Sequence, residues 1–393
     1  MENTWIAMIM GLLILLASMA SVELGISVAL VEIGLGVIAG NFLGLHSTSW
    51  IDFLAGFASI VLTFLAGAEV DPDLMREKLK ESALIGGLSF LLPLVGTWAF
   101  CYFVVRWTNP ASQIAGVALS TTSLAVVYAV LVETRLADAA IGKLIMASTF
   151  VTDFGTALAL SILFIRPNWW IVPFILVSAG LILFMPRLKP WFFSRYGNRV
   201  IEPEIKGAFA ALLVLIYFAH LAESHAVLPA FILGLAVARI FQRHREEQRR
   251  FRIVTFALLT PFFFIKSGMN VSLNLVWASF WLFLMLLGVK IGMKFIGVYP
   301  LAKRYVAEHA MYTTLLMSTG LTFGTISSLY GLNAGLLTQA QFSILVTVVV
   351  VSAILPTMIA HRYFDPRRYL EAAQEVPRIP TLRPSLVAEE EER

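Results

Sequence analysis

The sequence predicts an all-helical, polytopic membrane protein of about 13 transmembrane helices, arranged as two inverted six-helix repeats with crossed, broken helices. Three observations carry this reading. Of the 393 residues, 59% are hydrophobic and only 14% charged, a balance foreign to water-soluble globules. Apolar runs of the roughly 20 residues that a bilayer-spanning helix needs recur along most of the chain. The loops between them alternate sharply in basic content.

The spans fall near 5–20, 22–44, 48–70, 82–105, 109–133, 138–165, 168–187, 204–226, 228–241, 251–273, 274–300, 308–330 and 338–362. The run 228–241 is short for a crossing on its own. Loops 71–81, 134–137, 187–206, 239–252 and 301–307, with the chain from 362, hold 23 Lys and Arg, whereas the opposite loops hold Arg106 and Arg166 alone. Basic residues collect on cytoplasmic loops. The N-terminus is therefore expected outside and the C-terminus inside, in the cell (inner) membrane. The same bias accounts for the basic run Gln242–Arg252, so the lipid bilayer is the expected partner and nucleic acid is not. Glu2, with no basic region before the first apolar run, argues against a cleaved signal peptide. The single cysteine, Cys101, gives disulfides no part in the fold.

Spans one to six and eight to thirteen read as the two halves. The expected division is 1–188 for the first repeat with its linker helix, 189–203 for a basic cytoplasmic linker, 204–364 for the second repeat and 365–393 for a disordered, Pro- and Glu-rich tail. An odd connecting span turns the second half upside down. The third helices align as Phe64–Asp71 against Phe264–Val271, each with one charge beside a glycine, Glu69 and Lys266. Either charge reads equally as an interfacial cap that snorkels or as a functional group.

The sixth span carries the central feature. Asp153 lies near the middle of 138–165, where a carboxylate costs about 2.5–3.5 kcal/mol and persists with a partner or a purpose. Steps of three and four residues share a helix face, which puts Thr149, Thr152, Asp153 and Thr156 on one stripe and suggests the wall of a hydrated site. The fifth span of each half is interrupted: Ser120, Thr121, Thr122 and Ser123 in the first, and Ser318, Thr319 and Gly320 in the second. Interrupted spans at corresponding positions point to a transporter's binding site, because unwound backbone offers carbonyls and helix ends. Thr121, Thr122 and Ser123 are expected to complete a cation site around Asp153. Lys290 and Lys294 sit one turn apart, and Lys294 is deep enough to pair with Asp153. Lys143 falls on another face, toward the cytoplasmic end.

Several stretches resemble the cation/proton antiporter superfamily, nearest the branch of the bacterial NapA-type and Kef-type transporters. Phe64–Asp71 is similar to F-x-A-G-x-E-x-D, Pro261–Leu273 to P-x-F-F-x-x-x-G-M, Lys294–Lys303 to K-x-x-G-x-x-x-x-A-R, and Thr122-Ser123 to the Thr-Ser of the first crossover. Together they span nearly all of 5–362. The resemblance implies an NhaA-like antiporter fold and a homodimer formed by a separate panel of helices. It also implies a core in which Asp153 carries cation and proton alternately and pairs with Lys294 when empty. Two departures stand out. Thr152 occupies the place where electrogenic members have a second Asp, and Met317–Thr322 lacks the Arg and Glu of many relatives.

The expected function is exchange of a monovalent cation, Na+ ahead of K+, for protons by alternating access, electroneutral on account of Thr152. The chain is expected to be no enzyme and to need no cofactor beyond the transported ions: no H-E-x-x-H occurs, and His220, His225 and His309 lie near span ends. The alternatives are a cation channel, a K+ efflux system of Kef type, and an ion-coupled organic solute symporter. The last would want cationic groups at the crossover, and none is expected there.

Overall fold

A computed structural model describes residues 2–71, 73, 78–134, 136–137, 139–164, 168–196, 202–243 and 245–364. The expected tail 365–393 and part of the expected linker 189–203 lie outside these. Among the described residues there are helices and no strand. The first half comprises α1 (Glu2–Leu24), α2 (Val28–Phe42), α3 (Ser49–Ala68), α4 (Leu79–Ala99), the pair α5 (Asn109–Ser120) and α6 (Leu124–Glu133), and α7 (Ala140–Leu163). The connecting helix α8 (Ile171–Tyr196) follows. The second half comprises α9 (Pro203–Leu221), α10 (Val227–Arg243), α11 (Arg245–Val254) running into α12 (Thr260–Met269), a short α13 (Leu273–Ala278), and α14 (Phe280–Tyr305). It ends with the pair α15 (Ala310–Met317) and α16 (Thr322–Asn333), then α17 (Gln339–Tyr363).

Among the described residues, ten helices are long and apolar enough to cross a membrane, and Val28–Phe42 and Val227–Gln242 are shorter apolar helices. The expected span 308–330 is not among the ten; the chain there runs as two short helices, α15 and α16, around a break. The expected span 22–44 also shrinks: α1 runs on to Leu24, and Gly25 turns the chain at a φ of 64° before α2 begins.

Local chemistry explains the boundaries. Thr108 caps α5, its side chain accepting from Ala111 N, with Pro110 in the first turn, where a missing N–H costs nothing. Thr338 and Gln341 form a capping box at the start of α17. Pro261 lacks an N–H and crowds the carbonyl four residues back, and the chain just before it, Thr255–Leu259, widens into a π-turn.

The helices pack in two groups. In one, α3 packs on α10, α12 on α2 and α3, and α8 on α9 and α10; in the other, α4 touches α5, α7 and α14, and α15 to α17 close around α5 and α7. Glycines set the first group's register. A Cβ on Gly67 would collide with the Phe231 carbonyl, and one on Gly234 with the Phe64 carbonyl. A second clasp, between α2 and α12, repeats this with the same offsets: Gly268 rests on the Ile33 carbonyl and Gly36 on the Ile265 carbonyl. Gly67 therefore corresponds to Gly268, which corrects the expected alignment by one residue. Glu69 falls opposite Asn270, and Lys266 opposite Leu65, so the two charges are not counterparts. Backbone contact fixes the register, and helix-end charges are free to drift around it.

Candidate ion-binding site

The two interrupted helices meet near the centre of the second group. The chain leaves α5 at Thr121 (φ −68°, ψ 156°) and re-enters helix at Leu124. It leaves α15 after Met317 and restarts at Thr322. The breaks touch: the Thr122 hydroxyl donates to the Met317 carbonyl at 3.0 Å, and Ser123 N donates to Thr319 Oγ1 at 3.4 Å. Each crossing hydroxyl thus takes up part of the backbone polarity that an interrupted helix leaves exposed.

α14 supplies two ammonium groups to this crossing. Lys294 Nζ donates to the Ser120 carbonyl at 2.7 Å, to Ser89 Oγ at 2.9 Å and to Thr122 Oγ1 at 3.0 Å. It caps the C-terminal end of α5, where carbonyls carry partial negative charge. Lys290 is equally buried, and its Nζ lies against Gly320 in the second break. The expectation that the crossing lacks cationic groups is therefore overturned. Both come from a helix remote in sequence, and nothing in Met317–Thr322 itself announces them.

Asp153 lies on α7 and is 2% exposed. It stands within electrostatic reach of Lys294 and Glu69. Lys294 spends its hydrogen bonds on the first break instead of forming a contact ion pair with Asp153. Oδ1 of Asp153 is buried without a hydrogen-bond partner.

The carboxylate lines a cavity of about 680 Å³ together with Thr122, Tyr128, Thr322, Glu69 and Arg252. Asp71, Lys143 and Gln248, also in its wall, lie at helix ends on the face of the basic loops. Away from that face, the rings of Phe154 and Phe231 (6.0 Å) and of Phe231 and Phe323 (6.4 Å) pack together beside Asp153 and Thr322. Glu69 pairs with Arg252 at 3.3 Å near the mouth. Lys266 is not in this site; it pairs with Asp52 at 2.7 Å, between α12 and the first turn of α3.

The threonine stripe behaves differently from the expected hydrated wall. Thr149, Thr152 and Thr156 are fully buried, and their hydroxyls donate back to the carbonyls of Ile145, Thr149 and Thr152 at 2.7–2.9 Å. None of the three lines the cavity. Thr121 donates to the Ala118 carbonyl, Ser318 to Thr314 and Thr319 to Leu316. Of the hydroxyls at the two breaks, Thr122 and Thr322 share the cavity wall with Asp153. Thr322, Tyr128 and Arg252 escaped the sequence reading. Arg252 was legible there only as a topology signal, and Thr322 only as one of several hydroxyls near the second break.

This architecture has known relatives. The chain covers 92% of itself and 99% of the solved sodium proton antiporter MjNhaP1 of Methanocaldococcus jannaschii, with a TM-score of 0.69 and 15% identity, a likeness of fold. It is 24% identical to a protein named probable Na(+)/H(+) antiporter 3 of the same organism, over 83% of this chain and 88% of that one. It is 26% identical to a Na(+)/H(+) antiporter of Enterococcus hirae, over 88% and 91% of the two chains. The family model described as sodium/hydrogen exchanger, transmembrane, matches residues 9–364. From this match, on a fold of crossed broken helices around one buried carboxylate, the chain belongs to the sodium/hydrogen exchanger family.

Proposed function

We propose that the protein exchanges Na+ for protons by alternating access, with Asp153 holding the cation and the proton in turn. The observation that carries this is the position of Asp153, a buried carboxylate with an unengaged oxygen, in the wall of a cavity beside two broken helices. A hard monovalent cation seeks oxygen donors, and Thr122, Thr322 and freed backbone carbonyls stand beside the carboxylate. The proton competes for the same oxygens, so one flux drives the other. Lys294 stands within electrostatic reach and supplies a positive charge beside the carboxylate.

With the basic face taken as cytoplasmic, the cavity opens inward and the Phe154, Phe231 and Phe323 rings close the outer path. The N-terminus then lies outside and the C-terminus inside, in the cell membrane, and the helices of the first packing group form the interface of a homodimer. Exchange is electroneutral in this reading, because Thr152 brings a hydroxyl and no second negative charge beside Asp153. The relatives' names favour Na+. K+ is tested beside it, because one 23%-identical Bacillus cereus relative is named a Na(+)/H(+)-K(+) antiporter.

Proteoliposomes with a trapped pH dye, challenged with Na+, K+ and Li+, give the test. Cation-dependent proton flux that follows an imposed pH gradient supports exchange. Cation flux that ignores protons indicates a channel, and dependence on an added organic anion indicates symport. A sustained current on a solid-supported membrane at symmetric pH, reversing with the cation gradient, overturns electroneutrality.

A further inference from the structure

We propose that Lys290 is a positioning residue for Lys294, keeping the Lys294 ammonium on the first helix break and off Asp153, so that a cation can compete for the carboxylate. The inference rests on the exchange reading above. It starts from an asymmetry between two buried lysines on the same helix.

Lys290 and Lys294 are one turn apart on α14 and both fully buried. Lys294 has three oxygen partners, all on α4 or the first break. Lys290 Nζ has no hydrogen-bond partner. It lies against Gly320: a Cβ on residue 320 would collide with Lys290 Nζ and would come within 3.2 Å of Thr121 Oγ1 and 3.3 Å of the Thr121 carbonyl. The second break, Met317–Thr322, has no charge of its own.

Like charges one helical turn apart repel, and burial strengthens the repulsion. Lys294 feels Lys290 and Asp153 together. Lys290 bears on Asp153 through Lys294; Asp153's own electrostatic neighbours are Lys294 and Glu69. Pushed from one side, Lys294 settles on the Ser120 carbonyl, Ser89 and Thr122. Asp153 is left without a contact partner and open to the cavity. Without the Lys290 charge, Lys294 would be freer to close on Asp153 and to compete with the transported cation.

The test substitutes Lys290→Met and Lys290→Gln, both neutral and differing in polarity. Flux assays give KM and kcat, and Na+-dependent thermal stabilisation gives binding without turnover. The expected result is a several-fold rise in KM and in the half-saturating Na+ concentration, alike in both variants, with kcat little changed. In a Lys294→Gln background, Lys290→Met should leave Na+ binding where Lys294→Gln put it. An unchanged KM, an equal shift in the Lys294→Gln background, or failure of both variants to fold would overturn the proposal. Loss of cation-driven proton flux in the unaltered protein would instead overturn the exchange reading, and this inference with it.

Discussion

The Lys294 ammonium is bonded to the Ser120 carbonyl at 2.7 Å and not to Asp153. The lysine that the family resemblance pairs with the carboxylate is, in this form, a cap on a broken helix. Asp153 consequently keeps an unengaged oxygen, which in the proposed cycle is open to the cation.

Asp153→Asn should abolish cation-dependent proton flux while leaving a folded protein. No contact ion pair breaks on substitution, so the change in stability should stay within about 1 kcal/mol. Dye dequenching in proteoliposomes and a thermal melt of the same preparation check the two halves of the claim. Retained exchange would remove Asp153 from the mechanism.

Thr122 joins the two breaks through one oxygen, donating to Met317 and accepting from Lys294. Thr122→Val leaves the Met317 carbonyl and one Lys294 proton unsatisfied, at a cost of roughly 1–3 kcal/mol. The apparent cation KM should rise with it. Thr122→Ser retains both bonds and should restore stability and KM together. An unchanged KM in Thr122→Val would confine the residue to packing.

The Lys266–Asp52 pair predicts an asymmetry. The Lys266 side chain is 4% exposed and that of Asp52 51%. Lys266→Met removes a buried charge and leaves a solvated carboxylate that still accepts from Ser47; the effect should be within about 1 kcal/mol. Asp52→Ala strands the ammonium and should cost roughly 1–3 kcal/mol, less than a fully buried pair would. Melting temperatures of the two variants decide it, and equal losses would contradict the argument.

His225, in the connection between α9 and α10, packs its ring on Tyr330 with centroids 3.8 Å apart. Burial pushes its imidazole down from 6.5 to about 4. The folded state thus prefers the neutral ring, and the unfolded chain binds the extra proton first. Stability from this group is complete above pH 6.5 and is lost as pH falls toward 4. Stability should fall between pH 7.5 and 5 by about 2 kcal/mol, read as a lower melting temperature. His225→Gln should flatten that slope, and an unaltered slope would assign the pH dependence elsewhere.

Much of the site was legible in the sequence because a membrane makes polar residues conspicuous. Asp153, the two lysines of α14 and the hydroxyl-rich breaks all stand out against apolar runs. Their partners do not. Lys294 reaches Ser89, Ser120 and Thr122 across 172–205 residues of chain, and no periodicity carries such a distance. Helical spacing placed Thr149, Thr152 and Thr156 together but could not say that each hydroxyl would bond back into its own helix. The repeat was visible, yet its register hung on glycine contacts between remote helices, and charge placement misled it by one residue.

The glycine interlock has a consequence for how the chain is made. Gly67 meets Gly234's helix, and Gly36 meets that of Gly268, so each clasp joins a helix from one half to a helix from the other. During synthesis α2 and α3 enter the bilayer long before their partners exist, since residues 227–269 follow more than 150 positions later. At synthesis rates of about 5–20 residues per second, their bare glycine faces wait on the order of ten seconds in lipid. A ribosome-bound chain stopped before Val227 should therefore hold α2 and α3 inserted but unclasped, open to any other helix with a small-residue face. Assembly of the halves is an event of the finished chain, and its vulnerable interval is set by the length of sequence between the clasps.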